Sequence, residues 1–371
     1  MVPLPRMKAT RYLPFLKRGL EQDGPPLHLT LFVTGRCNLR CRHCFHFAEV
    51  AEGLVGPTLD EIRRLADSAA GMGPLLWVSF GGGEPFLRSD LAEAAAAFGR
   101  HGLRHLAIPT NGLALRQHEL TEKILAACPD TFLSVAVSFD GPPDVHDAIR
   151  QVPGGHARSM DAVRDLKRQA RENPRLGVGI IVTVTSENQD SLAAHLGELV
   201  AELRPDNVTI NLARGTALDE SLLEVDVARY EEVVAAKERL RASGALPYFD
   251  FPFAKVAVAR DRIMYEHVAR VARSNGTDLG RRHLPCTAGT LSAVIFEDGS
   301  VHPCEILGTP LGNLRDTDWD LAELWRGAAA KALRERIRDT RCKCTWECAQ
   351  ADNVLFNPRQ WPRLALKTLL P

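Results

Sequence analysis

The chain has 371 residues, of which 45% are hydrophobic and 25% are charged, as in an ordinary globular protein of one large or two smaller domains. Lys plus Arg and Asp plus Glu each number 46, so the net charge is zero and gives no indication of a nucleic-acid or membrane-surface binder. The first residues lack the apolar core of a signal peptide, and no apolar stretch approaches the roughly eighteen residues of a membrane span. We therefore expect a cytoplasmic protein with neither a nucleic-acid nor a membrane partner.

Alternating strand-like and helix-like segments fill the chain up to about residue 215. The predicted strands are His28–Val33, Leu75–Phe80, His105–Ile108, Phe132–Phe139, Leu176–Thr185 and Asn207–Leu212. Helices are predicted between them, and Thr58 and Glu61 form a capping box at the start of the first. Six strand–helix units predict an α/β fold with a parallel sheet, with fewer units than the eight of a full barrel.

Unusual loops directly follow the first four predicted strands. They are Cys37–Cys44, Gly81–Pro85, Thr110–Gly112 and Ser138–Gly141. Sites in parallel α/β folds lie at the carboxyl ends of the strands, so these loops are expected to converge on one face.

The pattern changes after about residue 214. Two helices are predicted at 227–243 and 253–274, and the Asp298-Gly299 turn predicts a hairpin of Leu291–Phe296 with Ser300–Pro303. A single helix is predicted over Asp320–Arg338.

Eight of the nine cysteines fall into two groups, which indicates metal binding in a cytoplasmic chain. The early group is Cys37, Cys41 and Cys44, and the late group is Cys286, Cys304, Cys342, Cys344 and Cys348. Cys128 stands alone and is expected to be an ordinary buried cysteine.

The early cysteines have the spacing Cys-x3-Cys-x2-Cys on one loop. A [4Fe–4S] cluster held by three thiolates keeps one iron open for a ligand. A structural zinc ion needs four protein ligands. His43 and His46 are the local residues that could complete such a site, so a zinc knuckle is the alternative.

With Phe45 after its third cysteine, this motif resembles the signature of the radical S-adenosylmethionine (SAM) superfamily. The resemblance implies that the open iron binds the amino and carboxylate groups of SAM. Reductive cleavage of SAM would then give a 5′-deoxyadenosyl radical that abstracts hydrogen from an unactivated C–H bond. It also implies a partial (β/α)6 TIM-like barrel over residues 25–215.

The three later loops resemble further motifs of this family, and the resemblance implies that they surround SAM. The residues concerned are Gly82, Gly83, Glu84, Pro85, Asn111, Ser138 and Asp140. Glu84 is expected to pair with the SAM amino group and Ser138 to lie near its ribose or carboxylate. The glycines are expected to let the backbone approach the ligand closely.

The late group resembles the SPASM and Twitch extensions of radical SAM enzymes, because twelve residues separate Cys286 from Gly299 and four separate Gly299 from Cys304. The full SPASM pattern has seven cysteines for two clusters. This chain has five, so we expect one Twitch-like auxiliary [4Fe–4S] cluster held by four of them. Which of Cys342, Cys344 and Cys348 is spare stays open. A four-cysteine zinc site is the alternative, but the late group contains no Cys-x2-Cys knuckle of the kind that a zinc ribbon pairs.

These motifs divide the chain into four predicted parts. Residues 1–24 form an extension, 25–215 the radical SAM core, 216–280 a helical connection and 281–371 the auxiliary cluster domain.

An auxiliary cluster near the substrate offers a sink for an electron, which favours net oxidation by a radical SAM oxidoreductase. Candidate residues for substrate contact or proton transfer are Asp140, Arg150, Arg214 and Glu305. Salt bridges are the alternative roles of Arg150 and Arg214.

About 27 residues precede the first strand, too few for a leader-peptide-binding domain. We therefore expect a small biosynthetic substrate such as a sugar or aminocyclitol. Modification of a ribosomal peptide or protein is the alternative. An iron–sulfur carrier is a third possibility, although a carrier has no need of the SAM motifs. Flavodoxin or ferredoxin is the expected low-potential electron donor.

Overall fold

The computed structural model of the chain describes residues 9–19, 21 and 24–369, so the first eight residues of the predicted extension lie outside the described part. The strands are β1 His28–Thr34, β2 Trp77–Gly82, β3 His105–Thr110, β4 Phe132–Ser138, β5 Leu176–Val184, β6 Asn207–Leu212, β7 Ser292–Ile295, β8 Ser300–His302 and β9 Gly312–Asn313. The helices are α1 Leu13–Arg18, α2 Phe47–Glu52, α3 Leu59–Met72, α4 Leu91–Gly99, α5 Gln117–Ala127, α6 Pro143–Arg150, α7 Gly155–Glu172, α8 Leu192–Leu203, α9 Val227–Ala242, α10 Ala254–Arg273, α11 Leu321–Arg326, α12 Ala328–Asp339, α13 Glu347–Leu355 and α14 Trp361–Leu369.

The sheet has the strand order β6-β5-β4-β3-β2-β1-β7-β8-β9. Strands β1 to β6 are parallel, and helices connect them. Strand β5 is apolar and almost entirely buried, as expected for a parallel strand covered on both faces. The predicted partial (β/α)6 barrel is confirmed.

The C-terminal part continues the same sheet. Strand β7 pairs in parallel with β1, and the predicted hairpin is confirmed by the antiparallel pairing of β7 with β8. The backbone N–H groups of Leu27 and His28 both donate to the Leu291 carbonyl, at 2.8 and 3.0 Å. The late cysteines are thereby brought next to the strand that leads into the early cysteine loop.

The predicted single helix over Asp320–Arg338 is wrong. Gly327 is extended, with φ −64° and ψ 164°, and separates α11 from α12. Glycine has a low helix propensity because its unfolded chain has more freedom to lose. Within the described residues, no helix has the length and apolar character needed to span a bilayer.

Candidate active site

A cavity of about 430 Å³ opens at the carboxyl ends of the parallel strands. The loops that follow β1 to β4 meet there, together with residues from β5, β6 and the C-terminal part. The predicted site residues that line it are Cys37, Cys41, Cys44, Gly82, Gly83, Glu84, Pro85, Asn111, Ser138, Arg150, Arg214, Glu305 and Cys348. One wall is thus built from the barrel and another from the C-terminal part.

The glycine loop after β2 is pinned to the cysteine loop. The Gly83 N–H donates to the Thr34 carbonyl at 2.7 Å, and the Glu84 N–H donates to the Arg36 carbonyl at 2.9 Å. A side chain on Gly83 would collide with the Arg36 carbonyl, and Gly82 has φ +102°. The close approach observed is to the neighbouring loop, and the expected approach of these glycines to a ligand stays a prediction.

The three early cysteines, called here the cysteine triad (Cys37, Cys41 and Cys44), lie together on the cavity wall. Burial raises the pKa of all three thiols, that of Cys41 to about 12, and the Arg150 guanidinium opposes this rise in each case. Iron binds the thiolate form. A buried cation beside the triad therefore favours the form that a cluster requires.

The donor set fits an iron–sulfur cluster better than a zinc ion. In the described part of the chain, no three His, Cys, Asp or Glu side chains are gathered closely enough to hold one metal ion. A cube takes each thiolate on a different iron, so its ligands need not meet at one atom. The two histidines considered as zinc ligands have other neighbours: His43 Nε2 lies 3.6 Å from Asp140 Oδ2, and His46 Nε2 lies 2.8 Å from Glu297 Oε1.

Glu84 presents a fixed carboxylate to the cavity. It is 1% exposed and accepts hydrogen bonds from the Asn111 N–H and the Thr110 hydroxyl, both at 2.8 Å, and from the Phe86 N–H at 3.1 Å. Burial raises its pKa, and these donors oppose the rise. A carboxylate has about four acceptor positions, so an ammonium group can still be bound.

Asp140 is fully buried behind the cavity wall. It forms an ion pair with Arg150, whose side chain faces the cavity. Its Oδ2 lies 2.7 Å from Arg150 Nε, and its Oδ1 accepts from the Thr183 N–H at 3.3 Å. Burial acts to raise the Asp140 pKa, but Arg150 and His43 keep it below its ordinary value. The salt bridge considered for Arg150 is present, and it leaves the guanidinium on the cavity wall.

Four late cysteines lie together. Cys286 and Cys342 are neighbours whose thiols act on each other's pKa, Cys342 acts on the pKa of Cys304, and Cys304 and Cys342 both act on the pKa of Cys344. We call these the cysteine quartet. Burial raises the pKa of Cys344 to about 11.

Cys348 is separate from the quartet. The main groups acting on its pKa besides burial are Glu305, Arg214, Glu347 and Asp352, whereas each member of the quartet is linked to another late cysteine. Its side chain lies on the wall of the cavity shared with the cysteine triad.

Arg214 joins the end of β6 to the C-terminal part. It forms a buried ion pair with Glu347 at the start of α13 and donates to the Thr345 carbonyl at 3.1 Å. Glu347 also accepts from the Leu212 N–H at 2.9 Å. The salt bridge considered for Arg214 is therefore present, with a partner far along the chain.

Aromatic rings and a carboxyl group complete the cavity wall between the two cysteine groups. Phe45 and Trp346 pack edge to face, with ring centroids 5.0 Å apart. Glu305 Oε2 is buried and has no hydrogen-bond partner in the described part of the chain. Burial raises the pKa of Glu305 to about 8, and Arg214 opposes the rise.

Sequence reasoning missed Trp346, Glu347 and Glu297. The first two stand between Cys344 and Cys348, so their position next to predicted ligands was an available signal. Glu297 gave no such signal, because its contact with His46 spans 251 positions.

A partial parallel barrel with a cysteine triad after its first strand and a cavity lined by the glycine, asparagine and serine loops defines the radical SAM class of proteins. The family model for the radical SAM superfamily matches residues 31–199, and the SPASM model, an iron–sulfur cluster-binding domain, matches residues 286–349. The chain belongs to the radical SAM superfamily and carries a C-terminal SPASM domain. It is a radical SAM enzyme whose cofactors are SAM, a [4Fe–4S] cluster and auxiliary iron–sulfur.

Characterised relatives differ in what they make. The AdoMet-dependent heme synthase of Nitratidesulfovibrio vulgaris is 28% identical over 83% of this chain and 81% of its own length. The PqqA peptide cyclase of Rhodopseudomonas palustris is 28% identical over 84% of this chain and 76% of its own length.

Two solved structures share the fold. Streptococcus suis SuiB bound to S-adenosylmethionine has a TM-score of 0.61 and 17% identity, covering 88% of this chain and 71% of its own. The protein anSMEcpe with bound AdoMet has a TM-score of 0.60 and 15% identity, covering 93% of this chain and all of its own, at 100%.

Proposed function

We propose that this enzyme carries out a net two-electron oxidation of a substrate bound between the cysteine triad and the C-terminal part. The observation that carries this proposal is the composition of the cavity wall. Trp346, Cys348 and Glu305 from the C-terminal part line the same cavity as the triad. A substrate in this cavity would lie between the site of hydrogen abstraction and an auxiliary cluster.

This geometry supports the following assignment of residues to the cofactors. The cysteine triad would hold the SAM-binding cluster, and Glu84, Asn111 and Ser138 would surround SAM. The cysteine quartet would hold one auxiliary [4Fe–4S] cluster, which leaves Cys348 as a free thiol. When bound, the first cluster and SAM supply the radical that abstracts hydrogen.

The remaining residues would position the substrate and exclude water. Arg150 is held against the triad by Asp140, and Arg214 holds the segment between Cys344 and Cys348 against β6. After hydrogen abstraction, the substrate radical would lose an electron to the quartet across this short segment and a proton to the Glu305 carboxylate on the cavity wall. Flavodoxin or ferredoxin as reductant, and the cytoplasmic location, stay predictions.

The cavity walls favour a substrate with an apolar body. Leu39, Phe45, Phe47, Val50 and Leu218 line the cavity. SAM must share the same cavity of about 430 Å³, so the reacting part of the substrate is small. We propose a small biosynthetic intermediate with an apolar body. Neither relative named above supports a sugar or aminocyclitol.

Oxidation of a residue in a peptide is the second candidate. It is supported by the similarity to the PqqA peptide cyclase and by the structure of SuiB bound to its precursor peptide SuiA. The end of a single peptide side chain is also small enough to enter the cavity beside SAM.

The proposal is tested by anaerobic turnover of the reconstituted enzyme with SAM and dithionite, using panels of apolar metabolites and of short peptides. A product lighter than its substrate by two hydrogens, formed together with 5′-deoxyadenosine, supports oxidation. A product of unchanged mass, or one that gains hydrogen, would overturn it. The panel that yields product decides between the two substrate classes.

A further inference from the structure

A carboxylate from the C-terminal part lies directly behind the SAM site. Glu297 follows β7, is 2% exposed, and places Oε1 2.8 Å from Nε2 of His46. His46 is itself 3% exposed and comes two residues after Cys44. The contact therefore joins the auxiliary domain to the end of the cysteine loop.

His46 reaches a predicted cluster ligand through its backbone. Its N–H lies beside the sulfur of Cys44 and favours the thiolate there. The imidazole packs edge to face on Phe32, with ring centroids 4.6 Å apart, and lies 5.9 Å from the ring of Phe296. Because the ring is enclosed in this way, the acceptor on Glu297 helps to fix the direction of the His46 backbone N–H.

The same carboxylate lies against the glycine loop. A Cβ on Gly82 would lie 2.8 Å from Glu297 Oε1, so the backbone of this loop packs closely against the carboxylate. The other oxygen, Oε2, is buried and has no hydrogen-bond partner in the described part of the chain. A buried carboxylate with one unpaired oxygen costs free energy, which is unexpected for a residue that serves only packing.

We propose that Glu297 is a positioning residue of the SAM cluster. Through His46 it helps to orient a backbone N–H beside the sulfur of Cys44, and through Gly82 it contacts the loop that carries Glu84. Hydrogen bonds to cluster sulfurs set the reduction potential, and residues that orient ligands influence metal sites from outside the ligand set. The auxiliary domain thereby tunes the cluster that cleaves SAM. This inference rests on the proposed assignment of the cysteine triad.

The test compares E297L with E297Q. Leu is close to Glu in size and removes the acceptor, whereas the amide oxygen of Gln can still accept from His46. H46L removes the contact from the other side, and the double variant E297L/H46L completes a mutant cycle. E49A is the matched control for loss of a carboxylate beside His46, because Glu49 is its half-buried second neighbour, at 3.3 Å.

The readouts are the electron paramagnetic resonance spectrum of the reduced cluster with and without SAM, the midpoint potential of the SAM cluster, iron content and melting temperature. We expect E297L and H46L each to shift the midpoint potential of the SAM cluster. Each should also raise the SAM concentration needed for the spectral response by about ten-fold. The double variant should be no worse than either single one, and E297Q and E49A should resemble the wild type.

An unchanged potential and SAM response in E297L, or additive effects in the double variant, would overturn the role. A lower melting temperature or iron content without a spectral shift would show packing alone and would overturn it as well. If E297L does not fold, H46L against E49A decides by the same criteria. Should the wild type itself show no spectral response to SAM, the triad assignment fails instead.

Discussion

The guanidinium carbon of Arg214 lies 4.0 Å from the ring centroid of Trp346. This contact joins the last strand of the barrel to the segment between Cys344 and Cys348. Because Trp346 also packs on Phe45, beside the cysteine triad, residues from the barrel and from the C-terminal part form one wall of the cavity. The mutual position of the two cysteine groups depends on this wall.

Removal of Arg214 is expected to destabilise the protein more than removal of the whole ion pair. R214L leaves the Glu347 carboxylate, 3% exposed, buried without its cation, which costs about 3 kcal/mol. In R214L/E347Q no charge remains, and the Gln oxygen can still accept from the Leu212 N–H, so most of the loss should be recovered. Anaerobic chemical denaturation measures both. Equal loss in the two variants would contradict a buried-charge penalty.

Cys344 and Cys348 should behave differently on substitution. C344A removes a member of the cysteine quartet and is expected to lower iron by roughly four per chain, whereas C348A should keep the wild-type iron content. Both residues belong to the same short segment, so each variant controls for the other. Iron and sulfide analysis decides the matter, and loss of iron in C348A but not in C344A would reverse the assignment.

Glu84 should be required for SAM binding but not for cluster assembly. E84Q keeps the size of the side chain but replaces one acceptor oxygen by an amide, which would face the Asn111 N–H or the Thr110 hydroxyl. We expect iron content to be unchanged and SAM affinity to fall at least about ten-fold. Isothermal titration with SAM tests this directly. Wild-type affinity in E84Q would exclude a contact between this carboxylate and SAM.

His105 should make stability depend on pH. Burial lowers its pKa to about 3, and its Nε2 lies 2.8 Å from the Tyr12 hydroxyl. The unfolded chain binds a proton near pH 6.5 that the folded chain does not, so this contribution to stability is present above about pH 6.5 and is lost as the pH falls toward 3.

The expected slope is at most about 1.4 kcal/mol per pH unit for this proton. H105Q removes the titration and should flatten the fall in unfolding free energy between about pH 7.5 and 5.5. Burial also lowers the pKa of His146 and His267, so part of the slope should persist in the variant. An unchanged slope in H105Q would contradict the assignment to His105.

The barrel could be predicted because its strands are apolar runs with clear loop signals between them. The Thr58 capping box and the hairpin at Asp298-Gly299 are local features, and both are present in the structure. The break at Gly327 was missed because an apolar periodicity ran through it. At that position the apolar pattern favours a continuous helix, whereas the low helix propensity of glycine favours a break, and the backbone is extended there.

The contacts between distant parts of the chain could not be predicted. Glu347 with Arg214 and Glu297 with His46 are far apart in sequence, and no local pattern marks which charges will meet. The separation of Cys348 from the cysteine quartet likewise depends on how the segment after Cys344 packs. Sequence spacing identified the five late cysteines as a group, and tertiary packing divided that group.

The most direct test is an anaerobic comparison of the wild type with the triple variant C37A/C41A/C44A. Iron and sulfide are measured per chain, and 5′-deoxyadenosine is measured after addition of dithionite and SAM. We predict roughly eight irons in the wild type and roughly four in the variant, with 5′-deoxyadenosine formed by the wild type alone. Zinc in place of iron, or no 5′-deoxyadenosine from fully loaded wild type, would contradict radical SAM chemistry at the cysteine triad.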